Sequence, residues 1–453
     1  MSFYLQILLL FVAFIVFVLL FLYVGGLGVR WIALRWAGYI FGNRESTKMG
    51  GYMKTGLVVV CLFAIIMIGC SGRSTQNSHD IDIEDPVGDV MPLDGDGNAV
   101  DWWFLLKLPQ GATSLCSGTV SPGCQYWQAQ RAGGVCYLYA DSNHPTLQLY
   151  NKLGFDNLVG PNNPVTRTLN QITGKSYIIW NDQGSKTSKP GTYPDKGAPT
   201  AHSKGAAAFG STSGFVMNVS TPNFPDPDLF TVGCQQDDNV EVSQHFFCFS
   251  LKKDGMTSWA QSIANAQLSV IAKNNWTGFA DTTVGGHSTT QTLRTFSNVP
   301  IQLIVKGSKD FFIPWDYVTN SIASGVNALS WYASPTTPPI PLGFNSSCLY
   351  KTPANYSINI VTSLTTPDGT YSWCGQGEAN GKYNHAKLGV GSSPIVITGS
   401  MNMQGDITSA GCESSQMGRG GEFYALQSQE LWNSLGQVFK TTCDGGDCTK
   451  CPQ

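Results

Sequence analysis

Short apolar and aromatic runs recur from residue 101 onward and predict a mixed α/β fold with buried strands. Strands are predicted for residues 102–106, 176–180, 205–209 and 214–219. Helices are predicted for residues 256–267, 315–329 and 427–440, where the apolar positions follow the helical period. We interpret the part of the chain that begins at residue 101 as globular.

Two tripeptides of the pattern H-x-K lie in this globular part, His202-Ser203-Lys204 and His385-Ala386-Lys387. Each follows a polar, glycine-rich stretch and precedes short apolar runs. The shared order of loop, tripeptide and strand predicts a duplicated unit of roughly 180 residues.

The N-terminal region contains two hydrophobic patterns in tandem. Residues 3–24 are apolar over a length that can cross a bilayer. A second pattern has one positive charge at Lys54, an apolar run at 57–68 and small residues at 69–72, which is typical of a secretory signal peptide. We favour Met53 as the start. The alternatives are an N-terminal membrane anchor and a bacterial lipobox at 67–70, and all three export the rest of the chain.

The predicted organisation follows from these patterns. Its segments are a hydrophobic upstream extension or membrane anchor at 1–52, a signal-like segment at 53–72, a flexible polar N-terminus at 73–98, and two halves at 99–265 and 266–453, the second with a Cys-rich tail.

Composition and charge restrict the partners. The net charge of −3 and the pI near 6.1 argue against a broad basic face for nucleic acid, so phosphate recognition has to be local. Most of the 13 cysteines follow the signal-like segment, and an oxidising compartment would pair most of them. Zinc is the alternative for Cys443, Cys448 and Cys451, but no histidine lies nearby. Glycosylation sequons occur at Asn218, Asn275, Asn345 and Asn355.

The H-x-K pattern suits phosphodiester chemistry. Side chains alternate along an extended strand, so the imidazole and the ammonium share one face. Two such pairs supply a nucleophile, a general acid and two cations that neutralise the phosphate. From His385 onward the spacing matches the phospholipase D superfamily pattern, with Gly399, Ser400 and Asn402 in its G-S-x-N segment. Ser392 occupies the position of the usual Asp.

Further segments resemble the deoxyribonuclease II family, a branch of that superfamily that also lacks the Asp. They are AVDWWFLLKLP (99–109), VTRTLNQI with Arg167, IIWNDQ with Asn181 and Asp182, AHSKGAAAFGSTSGFVMNVSTPNFP (201–225), YNHAKLGV (383–390), GSMNMQ (399–404) and Arg419-Gly420-Gly421. One departure is that Leu388 and Gly389 stand where family members commonly carry a Cys, so the disulfide that braces the catalytic loop cannot form.

The resemblance implies an acid endonuclease that needs no metal and no cofactor, leaves 3′-phosphate ends on DNA, and works in lysosomes or after secretion. It implies a phospholipase D-like α/β fold of two pseudo-symmetric halves, each with a mixed β-sheet flanked by helices. The implied catalytic residues are His202, Lys204, His385 and Lys387, and the implied phosphate- or substrate-binding residues are Asn402, Asn181 and Arg419. By the same analogy His202 is the nucleophile and His385 the acid and base, with the exchanged assignment still open.

Two alternatives remain. One is a phospholipase D-type phosphodiesterase that acts on a substrate other than DNA, and the other is a catalytically weak secreted relative that binds DNA or host proteins. The remaining histidines, at 79, 144, 245 and 287, are expected to be structural or exposed. The oligomeric state is not predicted by any of these patterns.

Overall fold

A computed structural model of the chain describes residues 89–109, 135–182, 201–222, 224–225, 242–330, 356–365, 372–374, 384–403 and 416–443. These residues lie in one compact unit, Glu84–Gln453. The predicted membrane, signal and N-terminal tail segments lie outside the described residues. No helix within the described ranges has both the length and the apolar character needed to cross a membrane.

The described chain forms seventeen strands and four α-helices, in an α/β arrangement. The strands are β1 Trp102–Lys107, β2 Tyr137–Asp141, β3 Gln148–Leu149, β4 Ser176–Trp180, β5 Gly205–Phe209, β6 Ser213–Val219, β7 Gln244–Lys252, β8 Val270–Asn274, β9 Thr289–Arg294, β10 Pro300–Lys306, β11 Val326–Leu329, β12 Ile358–Thr365, β13 Ser372–Cys374, β14 Leu388–Gly391, β15 Ile395–Gly399, β16 Gly421–Gln427 and β17 Phe439–Cys443. The helices are α1 Pro164–Leu169, α2 Lys253–Ile263, α3 Pro314–Ile322 and α4 Gln429–Val438.

The strands build two sheets. The first has the order β3-β2-β1-β7-β6-β5-β4-β8 and is antiparallel in all its described pairings. The second has the order β13-β12-β11-β14-β15-β16-β10-β9, with β17 beside β12. It is mixed because β11 and β12 run parallel. A mixed sheet was predicted for each half, but the first sheet is antiparallel in all its described pairings; β5 and β6, for example, are joined by the short turn at 210–212, which allows only antiparallel pairing.

Local sequence sets the helix boundaries. Asn163 caps α1 by accepting the N–H of Thr166, and Pro164 occupies the first helical turn. The prediction of one helix over 315–329 was wrong in its second half. Ala323 adopts a left-handed conformation with φ of 51°, which ends α3, and the apolar residues that follow form β11.

Aromatic side chains join the two sheets into one core. The ring of Tyr424 on β16 lies 5.1 Å from that of Phe249 and 6.3 Å from that of Phe247, both on β7. Trp259 of α2 donates its indole N–H to the Tyr424 hydroxyl at 2.9 Å. Since β7 and β16 belong to different sheets, these contacts hold the two sheets together. The residue before β7 contacts His385 and the residue before β16 contacts His202.

The cysteines are described only in part. Cys136 is disulfide-bonded, and Cys248 is a buried free thiol on β7. The side chains of the C-terminal cysteines lie outside the described residues, so the disulfide and zinc alternatives for them stay predictions.

Candidate active site

The first H-x-K tripeptide lies in the connection between β4 and β5. The backbone N–H of His202 donates to the Gly420 carbonyl at 2.8 Å, and its ring Nδ1 lies 2.5 Å from the Ser400 carbonyl. A carbonyl only accepts, so Nδ1 carries the proton. The residue after the tripeptide has to be glycine, because a Cβ on Gly205 would lie 2.1 Å from the Met217 carbonyl oxygen.

The second H-x-K tripeptide immediately precedes β14. The backbone N–H of His385 donates to the Ser243 carbonyl at 2.8 Å, and its Nδ1 lies 3.0 Å from the Ser220 carbonyl. Asn384 holds the backbone here, because its side-chain oxygen accepts the N–H of Ala386 at 2.9 Å. The second imidazole is therefore also oriented through Nδ1.

Each histidine is held by the sheet of the other half. The two carbonyls that orient His202 follow β15 and precede β16, in the second sheet. The two carbonyls that orient His385 follow β6 and precede β7, in the first sheet. Each tripeptide is thus anchored at the ends of two strands of the opposite sheet.

Charged groups fill the site. The Nζ of Lys204 forms an ion pair with the Asp182 carboxylate at 2.7 Å, and Nε2 of His202 lies 3.4 Å from the same carboxylate. Lys387 directs its Nζ to the backbone carbonyl of His385 at 2.5 Å. Both lysines are fully buried. The site therefore carries two buried cations and one nearby carboxylate.

Burial and the neighbouring cations lower the pKa values of both histidines. Burial lowers the pKa of His202 well below its usual value, and the cations of Lys204, Arg419 and Lys387 lower it further. Burial likewise lowers the pKa of His385, followed by Lys387 and Lys204. Each imidazole thus interacts with the lysine of the other tripeptide, which agrees with a shared site.

The three residues predicted to bind phosphate or substrate have different environments. Asn402 is buried, its backbone N–H donates to Gln416 at 2.9 Å, and its side-chain oxygen has no hydrogen-bond partner in the described part of the chain. Asn181 is buried next to Asp182, and its N–H donates to the Ser269 carbonyl. Arg419 is partly buried and donates to the Ala201 carbonyl at 3.1 Å.

Comparison with known families agrees with this geometry. Residues 92–312 match the family model described as Deoxyribonuclease II. This match supports assignment of the chain to the deoxyribonuclease II family. The matched stretch contains His202 and Lys204 and ends before the second tripeptide. No curated protein matches the chain.

The sequence patterns did not predict a buried hydrogen-bond network in this site. The backbone N–H of Lys387 donates to Nδ1 of His245 at 3.1 Å, and Nε2 of His245 donates to Asn218 at 3.1 Å. The amide of Asn218 donates to Glu422 at 2.7 Å, and the Ser203 hydroxyl donates to the same carboxyl oxygen at 2.9 Å. The network therefore joins the middle of the first tripeptide to the last residue of the second.

One sequence-based expectation is corrected by this network. His245 was expected to be structural or exposed, and its full burial with both ring nitrogens hydrogen-bonded agrees with a structural residue. Asn218 was considered as a glycosylation sequon, but its side chain is fully buried and both of its polar ends are hydrogen-bonded. A glycan at Asn218 is incompatible with this fold.

His144, His287 and Ser392 are exposed and have partners outside the two tripeptides, while His79 lies outside the described residues. The Nδ1 atoms of His144 and His287 lie 3.4 and 2.8 Å from the carboxylates of Asp141 and Asp310. Ser392, at the position of the usual Asp, is exposed and donates to the Gly325 carbonyl at 3.1 Å. Within the described ranges, no group of three or more His, Cys, Asp or Glu side chains is arranged to hold a metal ion.

Proposed function

We propose that this chain is a metal-independent acid endonuclease that hydrolyses DNA phosphodiesters to 3′-phosphate products. One observation carries the proposal: both H-x-K imidazoles are oriented through Nδ1 by the opposite sheet, within reach of each other's lysines. Such a site offers a nucleophile, an acid and fixed cations to one phosphate. The match of residues 92–312 to the Deoxyribonuclease II family model supports DNA as the substrate.

The first chemical step is assigned to His202 as nucleophile. Because its Nδ1 carries the proton, its Nε2 has the lone pair that attacks phosphorus. A bond forms between Nε2 and phosphorus while the bond from phosphorus to the 5′ oxygen breaks. His385, protonated on Nε2, gives its proton to the departing 5′ oxygen. The intermediate is a phosphohistidine attached to the 3′ end of the cleaved strand.

The second step regenerates the site. Neutral His385 accepts a proton from water, whose oxygen attacks phosphorus, and the bond from phosphorus to His202 breaks. The product is a 3′-phosphate, and His385 is again protonated. Lys204 and Lys387 neutralise the non-bridging oxygens, and Asn402, Asn181 and Arg419 hold the phosphate or the neighbouring substrate. Exchange of the two histidine roles is the other outcome that the experiments distinguish.

This scheme accounts for acid activity. Burial and the lysines lower the pKa of His385, so its protonation requires acid. A bound phosphate adds negative charge, which favours the protonated imidazole. Because one histidine has to be protonated and the other neutral, the profile of kcat/KM against pH is bell-shaped.

We also propose that residues 99–265 and 266–453 are two phospholipase D-like halves related by a pseudo-twofold axis. The order β1, α1, β4, β5, β6, β7, α2 in the first half parallels β10, α3, β11, β14, β15, β16, α4 in the second. Matched contacts support it as well: Lys107 ends β1 and donates to the Val242 carbonyl, and Lys306 ends β10 and donates to the Arg419 carbonyl. Strand β8, just after the boundary, pairs with β4 of the first sheet.

A secretory, lysosomal or extracellular location completes the proposal. The disulfide at Cys136 supports an oxidising compartment, where such bonds persist. Of the sequons in the described residues, Asn275 is exposed in a left-handed turn and stays a candidate for glycosylation.

Plasmid cleavage at about pH 5 with EDTA present tests the function. The wild-type chain is expected to cut, and His202→Ala and His385→Ala are expected to lose activity by at least about 10³-fold, because each removes a reacting group. His287→Ala is the matched control, since this exposed histidine pairs with Asp310, and it should keep activity. Cleavage that requires an added divalent metal, or that survives loss of both catalytic imidazoles, would contradict the proposal.

A further inference from the structure

A side-chain amide on β7 lies against the second imidazole. Gln244 is fully buried, and its Oε1 accepts the Ser220 hydroxyl at 2.5 Å and lies 3.3 Å from Nδ1 of His385. Its Nε2 is buried and has no hydrogen-bond partner among the described residues. An amide N–H2 group without partners beside a catalytic histidine is costly to bury, so its presence points to a ligand.

The orientation of this amide follows from its neighbours. The Ser220 carbonyl, 3.0 Å from Nδ1 of His385, requires a proton on that nitrogen. Gln244 therefore turns its oxygen toward the ring. The opposite orientation would place the amide N–H2 group against the protonated Nδ1, so that two donors would face each other. Lys387 Nζ lies 3.1 Å from the same Nδ1, but it donates its hydrogen bond to the His385 carbonyl. The Gln244 amide nitrogen therefore has no hydrogen-bond partner among the described residues.

The corresponding position in the other half has no such group. Gln244 pairs with Lys107 across β7 and β1, and Gly421 pairs with Lys306 across β16 and β10. Glycine offers no side-chain donor, so the amide occurs beside His385 alone. The buried hydroxyl of Thr221, next to Ser220, also lacks a hydrogen-bond partner in the described part of the chain.

We propose that Gln244 is a substrate-binding residue whose Nε2 donates a hydrogen bond to an oxygen of the scissile phosphate. This inference rests on the proposed function only in its choice of phosphodiester as ligand. A neutral amide donates at every pH, whereas a buried lysine donates as a cation only while it holds its proton. Gln244 would therefore contribute a pH-independent contact beside Lys204 and Lys387.

Binding of inorganic phosphate at pH 5, measured by calorimetry, tests the contact without requiring DNA cleavage. Gln244→Met keeps the length of the side chain and removes its donor, and is expected to weaken phosphate binding about tenfold, the worth of one hydrogen bond to a charged group. Gln429→Met is the matched control, because it makes the same substitution at an exposed glutamine of α4. Its phosphate affinity should stay within about threefold of wild type. A folded Gln244→Met protein with wild-type phosphate affinity would overturn the proposal.

A second measurement does not depend on the stability of the variants. In a crystal of the wild-type chain with tungstate, a tungstate oxygen should lie within about 3.2 Å of Gln244 Nε2. Tungstate bound between the imidazoles with all oxygens more than about 4 Å from that nitrogen would rule the contact out. If phosphate binds through Gln244 but plasmid DNA is not cut, the nuclease proposal fails and this contact stands. If DNA is cut with wild-type kcat/KM in Gln244→Met, this contact fails alone.

Discussion

The buried carboxyl group of Glu422 should make the stability of the protein depend on pH in a way that one substitution isolates. Burial raises the pKa of Glu422 from 4.5 to about 7. Hydrogen bonds from Ser203 and Asn218 oppose this rise without cancelling it. The folded state therefore holds a proton on Glu422 that the unfolded state releases between about pH 4.5 and pH 7.

The sign and size of the effect follow from proton linkage. Where the folded state binds more protons, the free energy of unfolding falls as pH rises. One pKa unit corresponds to about 1.4 kcal/mol, so the ionisation of Glu422 costs the fold about 2.5 kcal/mol between pH 5 and pH 8. Glu422→Gln keeps an oxygen for Ser203 and Asn218 and has no proton to lose. Its stability relative to wild type should therefore rise by about 2.5 kcal/mol over this range.

Urea unfolding of wild type and Glu422→Gln at pH 5, 6, 7 and 8 measures this difference. Glu430→Gln on the exposed face of α4 is the matched control for a Glu-to-Gln change outside the buried site. At pH 5 wild-type Glu422 is neutral like glutamine, so activity should change less than about threefold. A stability difference that is constant from pH 5 to pH 8 would refute the assignment of a raised pKa to Glu422.

Three further outcomes are expected. The ligand-free protein should lose stability as pH falls below about 6.5, because burial lowers the pKa values of His202, His245 and His385. Each histidine adds a slope of up to about 1.4 kcal/mol per pH unit. Inorganic phosphate should offset this loss, and urea unfolding with and without phosphate checks both effects. Asp182→Asn should lower the pKa values of Lys204 and Lys387, because the Asp182 charge raises both; NMR titration of the lysine side chains checks this, and unmoved pKa values would contradict it. Gly205→Ala should destabilise the fold by about 1–3 kcal/mol in chemical unfolding, because its Cβ would overlap the Met217 carbonyl; an unchanged midpoint would contradict the packing.

The local part of the site was predictable from the sequence. H-x-K places an imidazole and an ammonium next to each other along the chain, so each half-site could be read from three consecutive residues. The strands at 205–209 and 214–219 were predicted from short apolar runs and are confirmed as β5 and β6. These features depend on neighbours in sequence, where periodicity and turn chemistry carry the information.

The residues that connect the half-sites could not be predicted in the same way. Ser203 and Glu422 are 219 residues apart along the chain, and their hydrogen bond exists only because β16 lies beside the first tripeptide. His245 similarly reaches Lys387 across 142 residues. No local sequence pattern distinguishes a buried His or Glu that contacts a catalytic residue from one that only packs in the core. The strand β11 was missed for a different reason, because its apolar residues continue the period of α3 until Ala323 turns left-handed.

The most direct measurement of the central claim is the mass of the protein after quenching in alkaline denaturant, which preserves an acid-labile phosphohistidine, during turnover of thymidine 3′-(p-nitrophenyl phosphate). Nitrophenolate leaves without an acid, so His385→Ala should still form the covalent nucleotide adduct, while His202→Ala should not. Peptide mapping should place the phosphoramidate on His202 and show that the adduct persists in His385→Ala, which lacks the base for hydrolysis. An adduct on His385 that is lost in His385→Ala would establish the exchanged roles. Formation of product by the wild-type protein with no histidine adduct at any time would contradict a shared two-histidine site.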